Sequence, residues 1–294
     1  MLDIDRIQEI VEASVKVALL QPQQAAQLKA RGKSCKGISQ NPVGWLVICA
    51  DGRKFKAYEA DESNRYRLDL YTRNCQILKD ESFVPDLVAY APGFLLVEYV
   101  DGSFPDMKEP RFAAALGQVL ARLHGVGEGM LPSRSLFEGV AYYWEHLVKW
   151  EIFTEGQVAS LRKALESCAP ARFRTSIVYA DIKPENYCWN EQGELTLFDL
   201  GSFQQGRITD SFLLGSTAFE IVDRDTFLSA YVAEGGVSNW LDYEKCLRGL
   251  NSVEMLWYFT AQLKKLPLWA FKRRRAHKGW IKDLQSRIKR EFVL

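Results

Sequence analysis

The stretch that most constrains this chain is residues 177–203, IVYADIKPENYCWNEQGELTLFDLGSF. Apolar Ile177 and Val178 lead into Asp181, and Asn186 follows closely. The polar run from Asn190 to Gly193 predicts a turn. Leu195, Leu197 and Phe198 then deliver a second aspartate, Asp199, followed by Leu200 and Gly201. The pattern predicts a short hairpin with two carboxylates and one carboxamide on its flanking loops. That set suits one chemistry in particular. One group orients an attacking hydroxyl, and two oxygen ligands hold magnesium across a nucleotide's phosphates.

The same stretch resembles the catalytic core of the protein-kinase-like superfamily, in the branch of the aminoglycoside phosphotransferases and choline kinases. The family pattern is H-[RG]-D-x-x-x-x-N, then a strand and D-F-G. Here it stands as Tyr179-Ala180-Asp181-Ile182-Lys183-Pro184-Glu185-Asn186, then Asp199-Leu200-Gly201. The spacing is intact, with Tyr179 in place of the histidine and Leu200 in place of the phenylalanine. The resemblance implies an α+β, bilobal protein-kinase-like fold. A small antiparallel-sheet N-lobe with one helix would precede a larger α-rich C-lobe. The expected organisation is an N-terminal helical extension at 1–32, the N-lobe at 33–101 and the C-lobe at 102–294. The C-lobe would carry a helical insertion at about 137–168 and a basic C-terminal helix.

Bulk properties agree with a globular protein of one or two domains. The chain has 294 residues, 47% of them hydrophobic and 26% charged. Its formal net charge of +1 names no partner. Cys35, Cys49, Cys75, Cys168, Cys188 and Cys246 show no zinc or redox spacing, so reduced thiols in a cytoplasmic protein are expected. The start, MLDIDRIQEI, is acidic and lacks the basic and apolar regions of a signal peptide. No segment is apolar enough for a membrane-spanning helix.

Taken in order, Ile4, Ile7, Ile10, Val11 and Val15 form an apolar stripe at helical spacing, and Pro22 interrupts it. A short second helix is expected to reach Lys29. Strands follow at 33–40, 43–50 and 54–59, joined by turn signals at Asn41-Pro42 and Asp51-Gly52. The first turn would cover the phosphates, though it lacks the glycine-rich sequence of protein kinases. In the third strand Phe55-Lys56-Ala57-Tyr58 matches the family's lysine position. The resemblance implies that Lys56 holds the α- and β-phosphates, with Lys54, on the same strand face, as the alternative. A helix at 63–79 places Leu68, Tyr71, Cys75 and Leu78 inward. In the family this helix supplies a glutamate to the lysine. Here Asp69 is the only acid within it, and Glu62 stands at its start.

Two more strands, 84–91 and 93–100, flank Ala91-Pro92-Gly93. The second ends in what resembles the hinge between lobes, where the carbonyl of Glu98 and the N–H of Val100 would contact adenine. A helix at 109–124 closes on Leu120-Ala121-Arg122-Leu123-His124, and His124 is expected to pack or cap. Helices at 140–153 and 155–167 form the insertion, which carries Tyr142, Tyr143, Trp144 and Trp150. Asp210 resembles the family's buried brace of the catalytic loop. Residues 226–236 resemble a helix ending in a tyrosine and a glycine pair, and helices at 242–262 and 278–292 complete the chain. From Lys264 to the end there are eleven basic and two acidic residues, a net of +9 against −8 for the rest. Such a helix could contact an acidic surface, nucleic acid or anionic lipid.

The activity implied is ATP- and Mg²⁺-dependent phosphorylation of a small-molecule hydroxyl. Mg²⁺ would sit on Asn186 and Asp199. Asp181 would orient the hydroxyl and take its proton, and Lys183 would offset charge near the γ-phosphate. Two alternatives stay open. Asp-x-Lys-Pro-Glu-Asn is the loop of Ser/Thr protein kinases, which makes a protein the other acceptor. The departures at Tyr179, Leu200 and the helix acid also fit a nucleotide-binding pseudokinase scaffold.

Overall fold

The computed structural model describes residues 9, 22–27, 43–49, 51–60, 62, 65–179, 184–208 and 223–292. Asp181, Lys183 and Asp210 lie outside the described residues, as do the expected strand at 33–40 and most of the expected N-terminal helix.

Among the described residues the first element of more than one residue is a strand. Residues 22–29 were expected to be helical, yet Pro22–Gln27 is β1 and pairs antiparallel with β2, Val43–Cys49. Its polar sequence carries no strand pattern of its own. The pairing comes from the open edge of β2, whose backbone groups need partners. The Asp51-Gly52 turn leads from β2 to β3, Lys54–Glu59. After helix α1, Arg65–Ile77, come β4, Leu87–Ala91, and β5, Phe94–Glu98. The result is one antiparallel sheet in the order β1-β2-β3-β5-β4. Period-two alternation puts Trp45, Val47, Phe55, Ala57, Phe94 and Leu96 into one core on one face of it.

Beyond β5 the chain forms β6, Gly102–Ser103, and then α2, Pro110–Gly125. Next are β7, Gly129–Pro132, α3, Ser133–Gly139, and α4, Ala141–Lys149. The helix expected at 140–153 is α4 alone, which ends at Lys149, and α3 precedes it as a separate helix. Val140, at φ −93° and ψ 4°, ends α3 and starts α4. Helix α5, Glu155–Ser167, begins at a capping box in which Thr154 and Gln157 satisfy each other's backbone N–H groups. Strand β8, Arg172–Tyr179, leads to the hairpin of β9, Tyr187–Asn190, and β10, Leu195–Leu197. Strand β11, Phe203–Ile208, follows. The last helices are α6, Arg224–Ala233, α7, Glu244–Lys265, and α8, Phe271–Phe292. Two further sheets have the orders β10-β9-β6 and β11-β8-β7.

The chain divides into two compact units. The first comprises Met1–Val119, Tyr179–Gln204 and Asp225–Ala230. It holds the five-stranded sheet, α1 and the β9–β10 hairpin. The second comprises Leu120–Val178, Gln205–Arg224 and Tyr231–Leu294, and is mostly helical. A small antiparallel sheet with one helix, followed by a helical part, is the fold class that the sequence implied. No helix among the described residues is long and apolar enough to cross a membrane.

Candidate active site

In β3, Phe55 and Ala57 turn into the core, so Lys54, Lys56 and Tyr58 share the other face. Lys56 stands opposite Leu46 of β2 and Val97 of β5, in the middle of the sheet. Its ammonium lies 4.8 Å from the centre of the Tyr58 ring and 5.9 Å from that of Phe198, the residue before Asp199. Lys54 is occupied elsewhere. It binds the Asp101 carboxylate at 2.7 Å, and this bond holds its ammonium above the ordinary lysine range. Of the two lysines left open by the sequence, Lys56 is the one that reaches the hairpin.

Helix α1 faces this region with Leu68, Tyr71, Asn74 and Cys75, all buried. Asp69 is exposed, as is Glu62. Among the described residues no carboxylate forms an ion pair with Lys56. Tyr71 fills the space instead, its ring 5.3 Å from that of Tyr58. Its hydroxyl is buried and has no hydrogen-bond partner among the described residues. Burial pushes this phenol well above its usual range, and nearby Tyr58, Cys75 and Asp199 add in the same direction.

Asn74 is a site residue that sequence reasoning missed. It is fully buried, and its Nδ2 donates to the carbonyl oxygens of Leu200 at 2.7 Å and Phe203 at 3.2 Å. Helix α1 is thereby tied to the segment just after Asp199. The available signal was one polar residue on the apolar stripe of α1.

The hairpin fixes the two oxygen-bearing side chains relative to each other. The N–H of Phe198 donates to the carbonyl oxygen of Asn186 at 2.9 Å. Asn186 closes a 3-10 turn, Pro184–Asn186, and is buried. Asp199 sits in the left-handed region at φ 55° and ψ 50°, a backbone state that Asp tolerates better than most residues. Its carbonyl oxygen accepts both the N–H and the hydroxyl of Ser202, each at 2.8 Å. Leu200, where the family has phenylalanine, is fully buried. Tyr179, where the family has histidine, is buried against the rings of Tyr187 and Phe203. At the hairpin's turn, Arg111 stacks on Trp189 at 4.3 Å and donates to the carbonyl oxygen of Gly193.

At the expected hinge, the Glu98 N–H donates to the Asp86 carbonyl oxygen and the Tyr99 N–H to that of Lys54. The Val100 N–H has no backbone partner among the described residues. Next comes Gly102, where a Cβ would overlap the carbonyl oxygen of Trp189. Glycine is required there for β6 to reach β9.

In the second unit, His124 is fully buried and its Nδ1 is hydrogen-bonded to the Tyr231 hydroxyl at 2.9 Å. Burial, helped by Arg174, lowers its pKa from 6.5 to about 3. A Cβ on Gly236 would overlap the Tyr231 ring, so Gly236 makes room for His124's partner. Of the insertion aromatics, Trp144 is in the core and Trp150 is covered by the chain's own Lys264. Tyr143 lines a cleft of about 260 Å³ with Leu136, Arg207 and Glu254. Arg207 binds Glu254 at 2.6 Å, and the Tyr143 hydroxyl donates to the same carboxylate at 3.4 Å.

An antiparallel sheet with a central lysine, one helix braced on an Asp-Leu-Gly segment and a hairpin joining Asn to Asp mark the protein-kinase-like phosphotransferases. The sequence matches the phosphotransferase enzyme family over residues 56–248, and the chain belongs to that family. Solved structures agree at the level of fold. A putative fructosamine-3-kinase from Thermobifida fusca superposes with a TM-score of 0.65 at 16% identity, covering 98% of both chains. A macrolide 2'-phosphotransferase from Brachybacterium faecium gives 0.63 at 14% identity, covering 95% of this chain and 97% of its own. A choline kinase from Streptococcus pneumoniae gives 0.53 at 15% identity, covering 98% of this chain and 99% of its own. No curated protein matches the chain in sequence.

Proposed function

We propose that the protein transfers the γ-phosphoryl group of ATP to a hydroxyl of a small molecule. The observation that carries this reading is the bond from the Phe198 N–H to the Asn186 carbonyl oxygen. It ties Asn186 and Asp199 to one short hairpin, beside the ring that also lies near the Lys56 ammonium. A carboxylate and a carboxamide suit Mg²⁺, which takes hard oxygens and completes its shell with phosphate and water. Such an ion supplies neutralisation of charge on the phosphate oxygens.

The chain's own residues do the rest. Lys56 holds the α- and β-phosphates. The Glu98 carbonyl oxygen and the Val100 N–H take the adenine edge. Asp181 accepts a hydrogen bond from the acceptor hydroxyl and receives its proton. The hydroxyl oxygen bonds to the γ-phosphorus as the bond to the β–γ bridging oxygen breaks, and Lys183 offsets the developing charge. The fructosamine, macrolide and choline named for the structural relatives support a small-molecule acceptor.

The test is ADP release with Mg·ATP across a panel of hydroxylated metabolites and, separately, a protein extract. Turnover that depends on one metabolite, with a phosphorylated product identified by mass, is the expected outcome. Phosphate appearing only on polypeptide would move the activity to the protein kinases. The absence, among the described residues, of a carboxylate partner for Lys56 favours a second reading, a nucleotide-binding scaffold. Tight Mg·ATP binding with no turnover on any acceptor would select it.

A further inference from the structure

The turn between α7 and α8 exposes three large apolar side chains within four residues: Leu268 at 78%, Trp269 at 73% and Phe271 at 76% of their full surface. Ordinarily such side chains are buried, and a contiguous exposed group marks a contact surface. This turn is a built one. The Ala270 N–H donates to the Pro267 carbonyl oxygen, and that of Arg274 to Ala270. The Arg274 guanidinium caps the end of α7 by donating to the carbonyl oxygens of Leu263 at 3.2 Å and Leu266 at 2.7 Å. The apolar side chains are therefore held outward at the tip of a helical hairpin.

Cations ring this tip. Lys264 and Lys265 are exposed on the last turn of α7; Lys272, Arg273 and Arg275 are exposed on the first turns of α8. Among the described residues Lys264, Lys265, Lys272 and Arg275 form no ion pair. The sequence contains no acidic residue anywhere from 255 to 282. Basic residues suit the end of α7 but oppose the positive dipole end at the start of α8, where an acid would be stabilising. Apart from Arg274, which caps α7, helix stability does not account for the run Lys272-Arg273-Arg274-Arg275.

We infer that this hairpin tip docks the protein on an anionic lipid bilayer, with Leu268, Trp269 and Phe271 seated at the acyl boundary and the surrounding cations on lipid phosphates. Tryptophan and phenylalanine favour that depth, and basic residues add attraction to anionic headgroups. Charge argues against the other occupants. A second copy meeting the same patch across a two-fold axis would bring two rings of cations together. A nucleic acid backbone would satisfy the cations and leave Leu268 and Phe271 in water. The surface belongs to the second unit and is independent of the nucleotide-binding reading.

The test is sedimentation of the full chain with vesicles of phosphatidylcholine alone or with about 30% phosphatidylserine, at low and raised salt. Wild type should sediment with the anionic vesicles and be released as salt rises. Leu268→Ser, Trp269→Ser and Phe271→Ser together should weaken partition by about tenfold or more at unchanged charge. Lys272→Gln with Arg275→Gln should weaken it about fivefold for each charge removed. Melting should not change in either variant, because all five side chains are exposed. Wild type that stays in solution with both vesicle types overturns the inference. So does apolar-variant partition equal to wild type, or an ultracentrifugation dimer, lost in that variant, without lipid binding.

Discussion

The ammonium of Lys56 lies 4.8 Å from the centre of the Tyr58 ring, two residues along the same strand face. Family members pair this lysine with an acid on the helix. Here α1 offers the buried Tyr71 instead, stacked on Tyr58. A ring face attracts an ammonium without neutralising it, which suits the phosphate-holding role proposed for Lys56.

That arrangement makes Tyr58 a positioning residue. Tyr58→Leu should raise the KM for ATP by roughly 2- to 30-fold, the range of a cation–π contact of about 0.5–2 kcal/mol, with a smaller change in kcat. Tyr58→Phe keeps the ring and should behave like wild type. Equal kinetics for the leucine and wild-type proteins would show that the ring does not hold Lys56.

Asn74 joins α1 to the segment after Asp199 through two bonds. Asn74→Leu removes both donors and leaves the Leu200 and Phe203 carbonyl oxygens without them. Stability should fall by about 1–3 kcal/mol, the cost of an unsatisfied buried polar group. Urea unfolding with and without Mg·ATP separates this loss from a binding defect. The ATP-induced gain in stability should also shrink, because α1 no longer holds the Asp-Leu-Gly segment.

The roles of the two aspartates separate by what each removes. Asp199→Ala should abolish the magnesium-dependent part of nucleotide binding, since an anionic oxygen is deleted. Asp181→Asn should lower turnover by several powers of ten and leave Mg·ATP affinity close to wild type, because the partner proposed for it is the acceptor. Thermal-shift titrations and single-turnover rates check both. Undiminished Mg·ATP stabilisation of Asp199→Ala would remove that residue from the metal site.

What the sequence made legible follows from how local the signals are. Strands β2 and β3 stood out as short runs joined by the turn signal at Asp51-Gly52. Helix α5 matches the helix expected at 155–167, and its Thr154 cap is what fixes its start. β1 did not stand out, because Pro22-Gln23-Gln24-Ala25-Ala26-Gln27 has neither alternation nor β-branched residues and owes its strand to the edge of β2. α8 begins at Phe271 rather than 278, because a run of arginines gives no apolar stripe. In the site, the hairpin carrying Asn186 and Asp199 was readable from spacing. The choice of Lys56 over Lys54 rested on the family's lysine position, and the bond that occupies Lys54, to the distant Asp101, was not readable. Asn74 was unreadable for the same reason, because its partners are about 130 residues away in sequence.

The buried pair of His124 and Tyr231 gives the protein a specific sensitivity to acid. The folded-state pKa of His124 is about 3 against an ordinary 6.5. Between those values the unfolded chain binds a proton that the native protein does not, so stability rises with pH across the window. The full contribution is present above pH 6.5 and is lost as pH falls toward 3, at about 1.4 kcal/mol per pH unit. The groups that face the imidazole are the Tyr231 hydroxyl and the Arg174 charge. Neither gains a compensating negative charge on acidification, so these two groups do not offset the imidazolium's charge. His124→Gln removes the titration and keeps a polar side chain for Tyr231. Its loss of stability from pH 7 to pH 5 should be smaller than that of wild type by about 2 kcal/mol. Urea midpoints at the two pH values measure the difference. Equal losses in the two proteins would mean that native His124 takes up a proton as readily as the unfolded chain.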